Sequence, residues 1–154
     1  MDHNKKTERY QRIIEQLNEL LTSTSDPDAR MATIIALLHY KFEYFFWTGF
    51  YFLNKGELTV KNYQGPLACQ VLKKGSGVCW AGINQEKSIV VPDVHKFPGH
   101  IACDSRSNSE IVVPVKDGTE AIIGVLDVDS KKLNSFDEVD SRYLEEIVEM
   151  IFAG

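Results

Sequence analysis

The sequence predicts an α+β fold in which helices pack on a central antiparallel β-sheet. Apolar residues recur at helical spacing near both ends of the 154-residue chain, whereas the middle of the chain shows strand patterns. Asp117-Gly118 separates two of these strand patterns, which is a hairpin signal. Because hairpins make neighbouring strands antiparallel, we expect an antiparallel rather than a parallel sheet.

Two helices are predicted first. Apolar residues at helical spacing form the core face of the first helix: Ile13, Ile14, Leu17, Leu20 and Leu21. Asp26 followed by Pro27 predicts the start of the second helix, because aspartate caps free amides and proline needs no amide partner there. The buried face of this helix is predicted to contain Met31, Ile34, Ile35, Leu38 and Phe42.

Strands follow the two helices. Residues 45–53 are aromatic-rich, residues 54–56 form a turn, and residues 57–63 alternate as a returning strand. A third strand is expected to place Leu67, Cys69 and Val71 on one face, with Cys69 partly buried.

A short helix and a long loop come next. Residues 76–85 are predicted to form a turn and a short helix carrying Cys79, and residues 88–91 a short strand. Residues 93–108 form an irregular stretch of a length that is usually functional or disordered.

The last elements are a hairpin and a helix. Strands over residues 110–115 and 121–128 flank the Asp117-Gly118 turn. Ser135 and Glu138 have the spacing of a capping box that opens the last helix. The core face of that helix is predicted to contain Leu144, Ile147, Val148 and Ile151.

Composition limits the classes of function. The net charge of −5 and the pI near 5.4 disfavour a nucleic-acid surface. The sequence shows neither a membrane-spanning stretch nor a secretion signal, so we expect a cytoplasmic protein. Its length suits a single domain over residues 1–154.

Cys69, Cys79 and Cys103 are an odd, widely spaced set, which favours reduced, metal-bound or catalytic thiols over structural disulfides. Cys103 lies in a polar segment, where a thiol is available as a nucleophile. Taken alone, Cys69 and Cys79 are more typical of small buried residues. His95 and His100 are competent zinc ligands, but the close Cys-x-x-Cys spacing is missing, so we expect no metal site.

Seven segments resemble, in order and spacing, the free methionine-R-sulfoxide reductases, a family of stand-alone GAF-domain enzymes. One of them reads Gly99-His100-Ile101-Ala102-Cys103-Asp104. The segments are residues 47–51, 64–69, 75–79, 93–95, 99–104, 107–111 and 124–130. The resemblance therefore implies a single GAF domain that reduces free L-methionine-R-sulfoxide, without a cofactor, and it is compatible with a homodimer.

The resemblance also implies roles for the three cysteines. Cys103 is expected to attack the sulfoxide sulfur and to become a sulfenic acid, which condenses with a second thiol. Cys69 matches the family's usual resolving position, and Cys79 matches a third cysteine that takes part in disulfide exchange. Thioredoxin is the expected reductant. Whether Cys69 or Cys79 is the main resolving thiol stays open.

Three carboxyl groups are candidates for binding and polarising the substrate. Asp127 and Asp129 share a strand face by their spacing of two, and Glu110 lies on the hairpin partner. Carboxyls that converge raise at least one pKa, and a protonated carboxyl can supply the proton that the leaving sulfoxide oxygen needs. The ionised ones are expected to hold the α-ammonium group of a free amino acid.

The resemblance assigns the remaining contacts. Trp47 and Tyr51, four apart on one strand, match an aromatic wall around the substrate methyl group and sulfur. Backbone amides of Ile101, Ala102 and Cys103 are expected to take the α-carboxylate.

Two expectations stay open beside these. A ligand-binding or redox-sensing regulatory GAF domain without catalysis is the alternative function. Trp80 departs from the family, which commonly has a small residue at this position, and this puts the role of Cys79 in question.

Overall fold

The computed structural model describes residues 1–100 and 103–153 and confirms the α+β expectation. Six strands form one sheet in the order β3-β2-β1-β6-β5-β4, and every pairing recorded among the described residues is antiparallel. The strands are β1 Trp47–Asn54, β2 Glu57–Gln64, β3 Val71–Leu72, β4 Ile89–Val91, β5 Ser109–Lys116 and β6 Ile122–Ser130. The helices are α1 His3–Leu20, α2 Pro27–Lys41, α3 Gly77–Gln85 and α4 Glu138–Val148.

The sheet has a hydrophobic core on each face, because successive strand residues point to opposite sides. On one face, Phe50 and Leu126 pack in the core shared with α1, α2 and α4. On the other face, Tyr51 and Val125 pack in the core shared with α3. Burial on both faces makes β1, β5 and β6 the rigid centre of the molecule.

Most predicted elements are confirmed, including the start of α2. The Asp26 side chain accepts a hydrogen bond from the amide of Ala29, and Pro27 occupies the first turn of the helix. Leu20 is an exception within the predicted apolar stripe of α1, because its side chain is exposed at the end of that helix.

Two local predictions were wrong. The third strand contains only Val71 and Leu72, while Leu67 is 85% exposed in the preceding loop and Cys69 is half-buried there. The capping box of α4 is formed by Asp137 and Asp140 rather than by Ser135 and Glu138. Asp137 is the better cap because its carboxylate reaches the amide of Val139 while Asp140 turns back to the amide of Asp137.

Asp140 also holds the two ends of the chain together. Its buried carboxylate accepts hydrogen bonds from the Lys6 ammonium and from the hydroxyl groups of Tyr10 and Tyr44. Lys6 is itself buried and also donates to the carbonyl oxygen of Ser135. Every charge in this cluster is therefore compensated, as a buried ion pair requires.

No helix among residues 1–100 and 103–153 combines the length and the apolar character that crossing a membrane requires.

We predict that Asp140→Ala lowers the free energy of unfolding by about 3–5 kcal/mol, because it removes the carboxylate shared by the buried Lys6 ammonium group, the buried Tyr10 hydroxyl group and the half-buried Tyr44 hydroxyl group. Urea unfolding measures the change. Lys116→Ala is the control, since it removes only the exposed ion pair with Glu120, and its effect should stay within about 0.5 kcal/mol. Equal effects of the two substitutions would contradict this role for Asp140.

Candidate active site

A cavity of about 60 Å³ opens between the α3 face of the sheet and the loop that carries Cys103. It is lined by aromatic, thiol and carboxyl side chains together with small loop residues. The side chains that matter for chemistry are Trp47, Tyr51, Cys79, His100, Cys103, Glu110, Asp127 and Asp129. The cavity therefore collects residues that are separated by more than 80 positions in the sequence.

The register of the three central strands brings these side chains together. Asp129 is paired with Trp47 on β1 and with Glu110 on β5. Asp127 lies two residues earlier on β6 and therefore points to the same face. The strand pairing alone thus places three carboxyl groups beside the indole ring.

The aromatic wall depends on a glycine. The Trp47 ring stacks on Tyr51 and Tyr63, with ring centroids 5.7 and 5.3 Å away. A Cβ atom on Gly49 would collide with the Trp47 ring and with Tyr63, so only glycine lets the ring lie along the strand at this point. The Tyr51 hydroxyl donates a hydrogen bond of 3.0 Å to the carbonyl oxygen of Cys69, which connects the aromatic wall to the loop that carries Cys69.

The three carboxyl groups are poorly compensated. Glu110 and Asp127 are each 5% exposed and Asp129 is half-buried. Among the described residues, none of the ion pairs formed by lysine, arginine or histidine involves any of them. Burial, followed by the charge of Asp127, raises the pKa of Glu110 and of Asp129 well above the usual range, and burial raises the pKa of Asp127 to about 6.

Three buried polar atoms that line this cavity have no hydrogen-bond partner among the described residues: Trp47 Nε1, His100 Nε2 and Asp127 Oδ1. Buried polar atoms are nearly always paired in folded proteins. The presence of three such atoms in one cavity indicates a binding site for a polar ligand. The adjoining carboxyl groups favour a ligand that carries positive charge.

The cysteines differ in state and surroundings. Cys69 and Cys103 form a disulfide with their Cα atoms 5.5 Å apart, and Cys103 lies on the exposed side of the cavity. Cys79 is a free, buried thiol on α3. Burial and the charge of Asp127 raise the pKa of Cys79, so this thiol is a weaker nucleophile than an exposed one.

The loop around Cys103 is anchored on its C-terminal side. Arg106 forms a bidentate ion pair with Asp104 and lies over the ring of Phe46 at 4.9 Å. The Asn108 side-chain nitrogen donates to the carbonyl oxygen of Lys131, and its side-chain oxygen accepts a hydrogen bond from Nε2 of His95. The hydrogen bonds from Arg106 lower the pKa of Asp104 to about 2, so this carboxylate, which also lines the cavity, is already paired, unlike Glu110, Asp127 and Asp129.

The structure thus brings together most of the residues proposed from the sequence. Seven of them line the cavity, and Cys69 joins them through its disulfide with Cys103. The backbone contacts expected at Ile101 and Ala102 lie outside the described residues. Trp80 is buried, and its indole nitrogen donates to the carbonyl oxygen of Leu72, so the departure from the family packs α3 against β3.

The sequence named His100 as a competent zinc ligand but gave no reason to place it in the substrate site, because most loop histidines are solvated. Burial lowers the pKa of His100, which favours the neutral ring at pH 7, and Nε2 faces no protein partner among the described residues. Its position three residues before Cys103 was the available signal.

The chain is similar to known proteins over most of its length. Residues 8–151 match the family model of the GAF domain. The chain is 50% identical to GAF domain-containing protein A of Dictyostelium discoideum, over 95% of this chain and 92% of that protein. It is 38% identical to the free methionine-R-sulfoxide reductase of Escherichia coli, over 93% and 86% of the two chains. The structure of the Neisseria meningitidis free methionine-R-sulfoxide reductase in complex with its substrate superposes with a TM-score of 0.87, at 39% identity over 93% of this chain and 86% of that chain.

We predict that Asp127→Asn stabilises the protein at pH 8 by about 1–3 kcal/mol. The folded-state pKa of Asp127, about 6, lies above its usual value of 3.8, so the contribution of this carboxyl to stability is complete below pH 4 and is lost as the pH rises through 6. The advantage of the amide should therefore shrink toward pH 4. Urea unfolding at both pH values measures it.

Asp117→Asn is the matched control, because hydrogen bonds from Thr119 lower the pKa of Asp117 and its small effect should have the opposite sign. A parent protein that is more stable than Asp127→Asn at pH 8 would contradict the prediction.

Proposed function

The chain belongs to the GAF-domain family and is closely related to free methionine-R-sulfoxide reductases, and we propose that it reduces free L-methionine-R-sulfoxide to L-methionine. One observation carries the proposal. The Cys69–Cys103 disulfide borders a cavity that contains three carboxyl groups without a protein counter-charge among the described residues. A two-cysteine redox centre and a receptor for a cationic group thus occupy one site.

Recognition of a free amino acid follows from charge. The α-ammonium group of the substrate compensates those of the Glu110, Asp127 and Asp129 carboxyl groups that are ionised, whereas the amide nitrogen of a residue within a peptide carries no charge. The interaction gains strength from burial, because charges attract more strongly where water is excluded. Trp47 and Tyr51 contact the methyl group and sulfur at ~0.3–1.5 kcal/mol per sulfur–aromatic contact, which orients the substrate more than it binds it.

The first chemical step oxidises Cys103. The Cys103 sulfur takes the oxygen of the sulfoxide, the sulfoxide S–O bond breaks, and the methionine sulfur gains two electrons. A carboxyl group that its raised pKa keeps protonated donates a proton to the oxygen, and the thiol proton returns to the carboxyl. The products are methionine and the sulfenic acid of Cys103.

The second step releases water. The Cys69 thiol attacks the sulfenic acid, and the Cys69–Cys103 disulfide forms. A dithiol reductant, for which we propose thioredoxin in the cytoplasm, then restores both thiols by exchange. Cys79 is the less suitable resolving thiol, because it is buried and its pKa is raised.

A redox-sensing GAF domain without turnover is the second candidate. The same reversible disulfide is sufficient for sensing. The 50% identical relative from Dictyostelium discoideum is named for its GAF domain and not for a reductase activity. A measurement of turnover separates the two functions.

We predict that the reduced enzyme turns over free L-methionine-R-sulfoxide in an NADPH-coupled thioredoxin assay. The S epimer and N-acetyl-methionine-R-sulfoxide amide should each give at most about 1% of that rate. For the blocked compound the reason is that it has no α-ammonium group to compensate the carboxyl groups. Comparable rates on the blocked compound would contradict the role of the carboxyl groups. Complete inactivity on all three compounds would favour the sensing function.

We further predict that Cys103→Ser abolishes turnover, while Cys69→Ser releases about one methionine per enzyme in a single turnover and does not cycle with thioredoxin. Quantifying methionine under single-turnover and multiple-turnover conditions distinguishes these outcomes. Cys79→Ser is the control for loss of a thiol and should retain cycling. Full cycling by Cys69→Ser would move the resolving role to Cys79.

A further inference from the structure

A metal-competent cluster lies on the inner side of the cavity. The Cys79 sulfur and one carboxylate oxygen each of Glu110 and Asp127 lie within 4.8 Å of one another, and all three side chains are buried. We propose that these three side chains bind a zinc ion in the same cavity that receives the substrate.

The distances suit zinc after a small closure. In tetrahedral zinc coordination, bonds of about 2.0 Å to oxygen and 2.3 Å to sulfur place neighbouring ligand atoms roughly 3.3–3.5 Å apart. Donor atoms that start within 4.8 Å of one another reach this spacing when side-chain rotations move each of them by about 1 Å. Three protein ligands leave a fourth position open toward the cavity, as in zinc sites that keep a water molecule.

The donor set selects the type of metal. Mg²⁺ and Ca²⁺ prefer oxygen ligands alone, whereas a thiolate beside carboxylates favours zinc and similar transition-metal ions. Cys79 is therefore the residue that determines selectivity, and it has no role as a required nucleophile in the proposed reaction.

Two further observations point to a ligand at this place. Asp127 Oδ1 is buried, lines the cavity and has no partner among the described residues. Trp47 Nε1 is buried in the same wall, also without a partner among the described residues, and as a donor it suits an acceptor atom carried by a ligand. A zinc ion with a bound water molecule supplies the positive charge and the acceptor oxygen together.

Zinc and substrate compete if the proposed function holds, because the metal and the α-ammonium group use the same carboxylates. Zinc would then inhibit turnover by raising the KM for the sulfoxide. The binding itself does not rest on the proposed function, and it is measured without turnover.

The test uses the oxidised protein, in which the Cys69–Cys103 disulfide leaves Cys79 as the remaining thiol of the three. Titration with Zn²⁺ against a coloured chelator should show one equivalent bound with micromolar or tighter affinity. Cys79→Ser and Glu110→Gln should each weaken binding at least tenfold, and Mg²⁺ in hundredfold excess should not displace zinc. With Co²⁺ as a probe, a thiolate-to-cobalt charge-transfer band should appear in the parent protein and be absent in Cys79→Ser.

His3→Ala is the matched control, because His3, Asp137 and Glu138 form the other cluster with ligand spacing, at the surface. Its zinc affinity should equal that of the parent. Unchanged affinity in both Cys79→Ser and Glu110→Gln, or loss of the bound equivalent in His3→Ala, would overturn the proposal. Absence of zinc binding by the parent would overturn it as well, whether or not the protein reduces methionine sulfoxide.

Discussion

The crowding of three carboxyl groups in a largely apolar pocket is the constraint on which the site depends. The register of β5 and β6 sets Glu110 beside Asp129, and the strand period brings Asp127 to the same face. None of these positions can move without moving the central sheet, whose neighbouring residues belong to the two cores. The fold therefore holds together carboxyl groups that would separate in a flexible chain, and burial, followed by the charge of Asp127, raises the pKa of Glu110 and of Asp129 there.

Asp140 shows what the same chemical group does when it is compensated. Its carboxylate is as deeply buried as Asp127, yet it accepts hydrogen bonds from Lys6, Tyr10 and Tyr44 and closes the capping box of α4. One buried carboxylate with a full set of donors stabilises the fold, while three without a counter-charge among the described residues favour a cationic ligand. In the function proposed above, the protein thus uses buried acids for stability in one place and for recognition in another.

The strand elements could be predicted from the sequence because alternation and turn residues are local signals. The same alternation correctly placed Asp127 and Asp129 on one face with Glu110 on the neighbouring strand. The short β3 was overestimated, because Leu67 continues the apolar alternation although no strand pairs with it. The burial of His100 could not be predicted either, since it depends on how the loop folds over the cavity rather than on the residues beside it. The Cys69–Cys103 pairing depends on tertiary proximity as well, and only the family resemblance indicated it in advance.

Division of labour among the three cysteines follows from where the fold places them. Cys103 lies on a loop that Arg106 and Asn108 anchor beside the ends of the central strands β1 and β6, and its side chain lines the cavity while the residue is exposed. Cys69 lies on the loop between β2 and β3, and the hydrogen bond from Tyr51 to its carbonyl oxygen holds it in place. Cys79 is held by α3 beneath the carboxyl groups, where an anionic thiolate would add to their repulsion. Burial and the neighbouring carboxyl groups raise the pKa of this thiol, which disfavours a role as nucleophile and agrees with the zinc site proposed above, since a bound cation favours the thiolate.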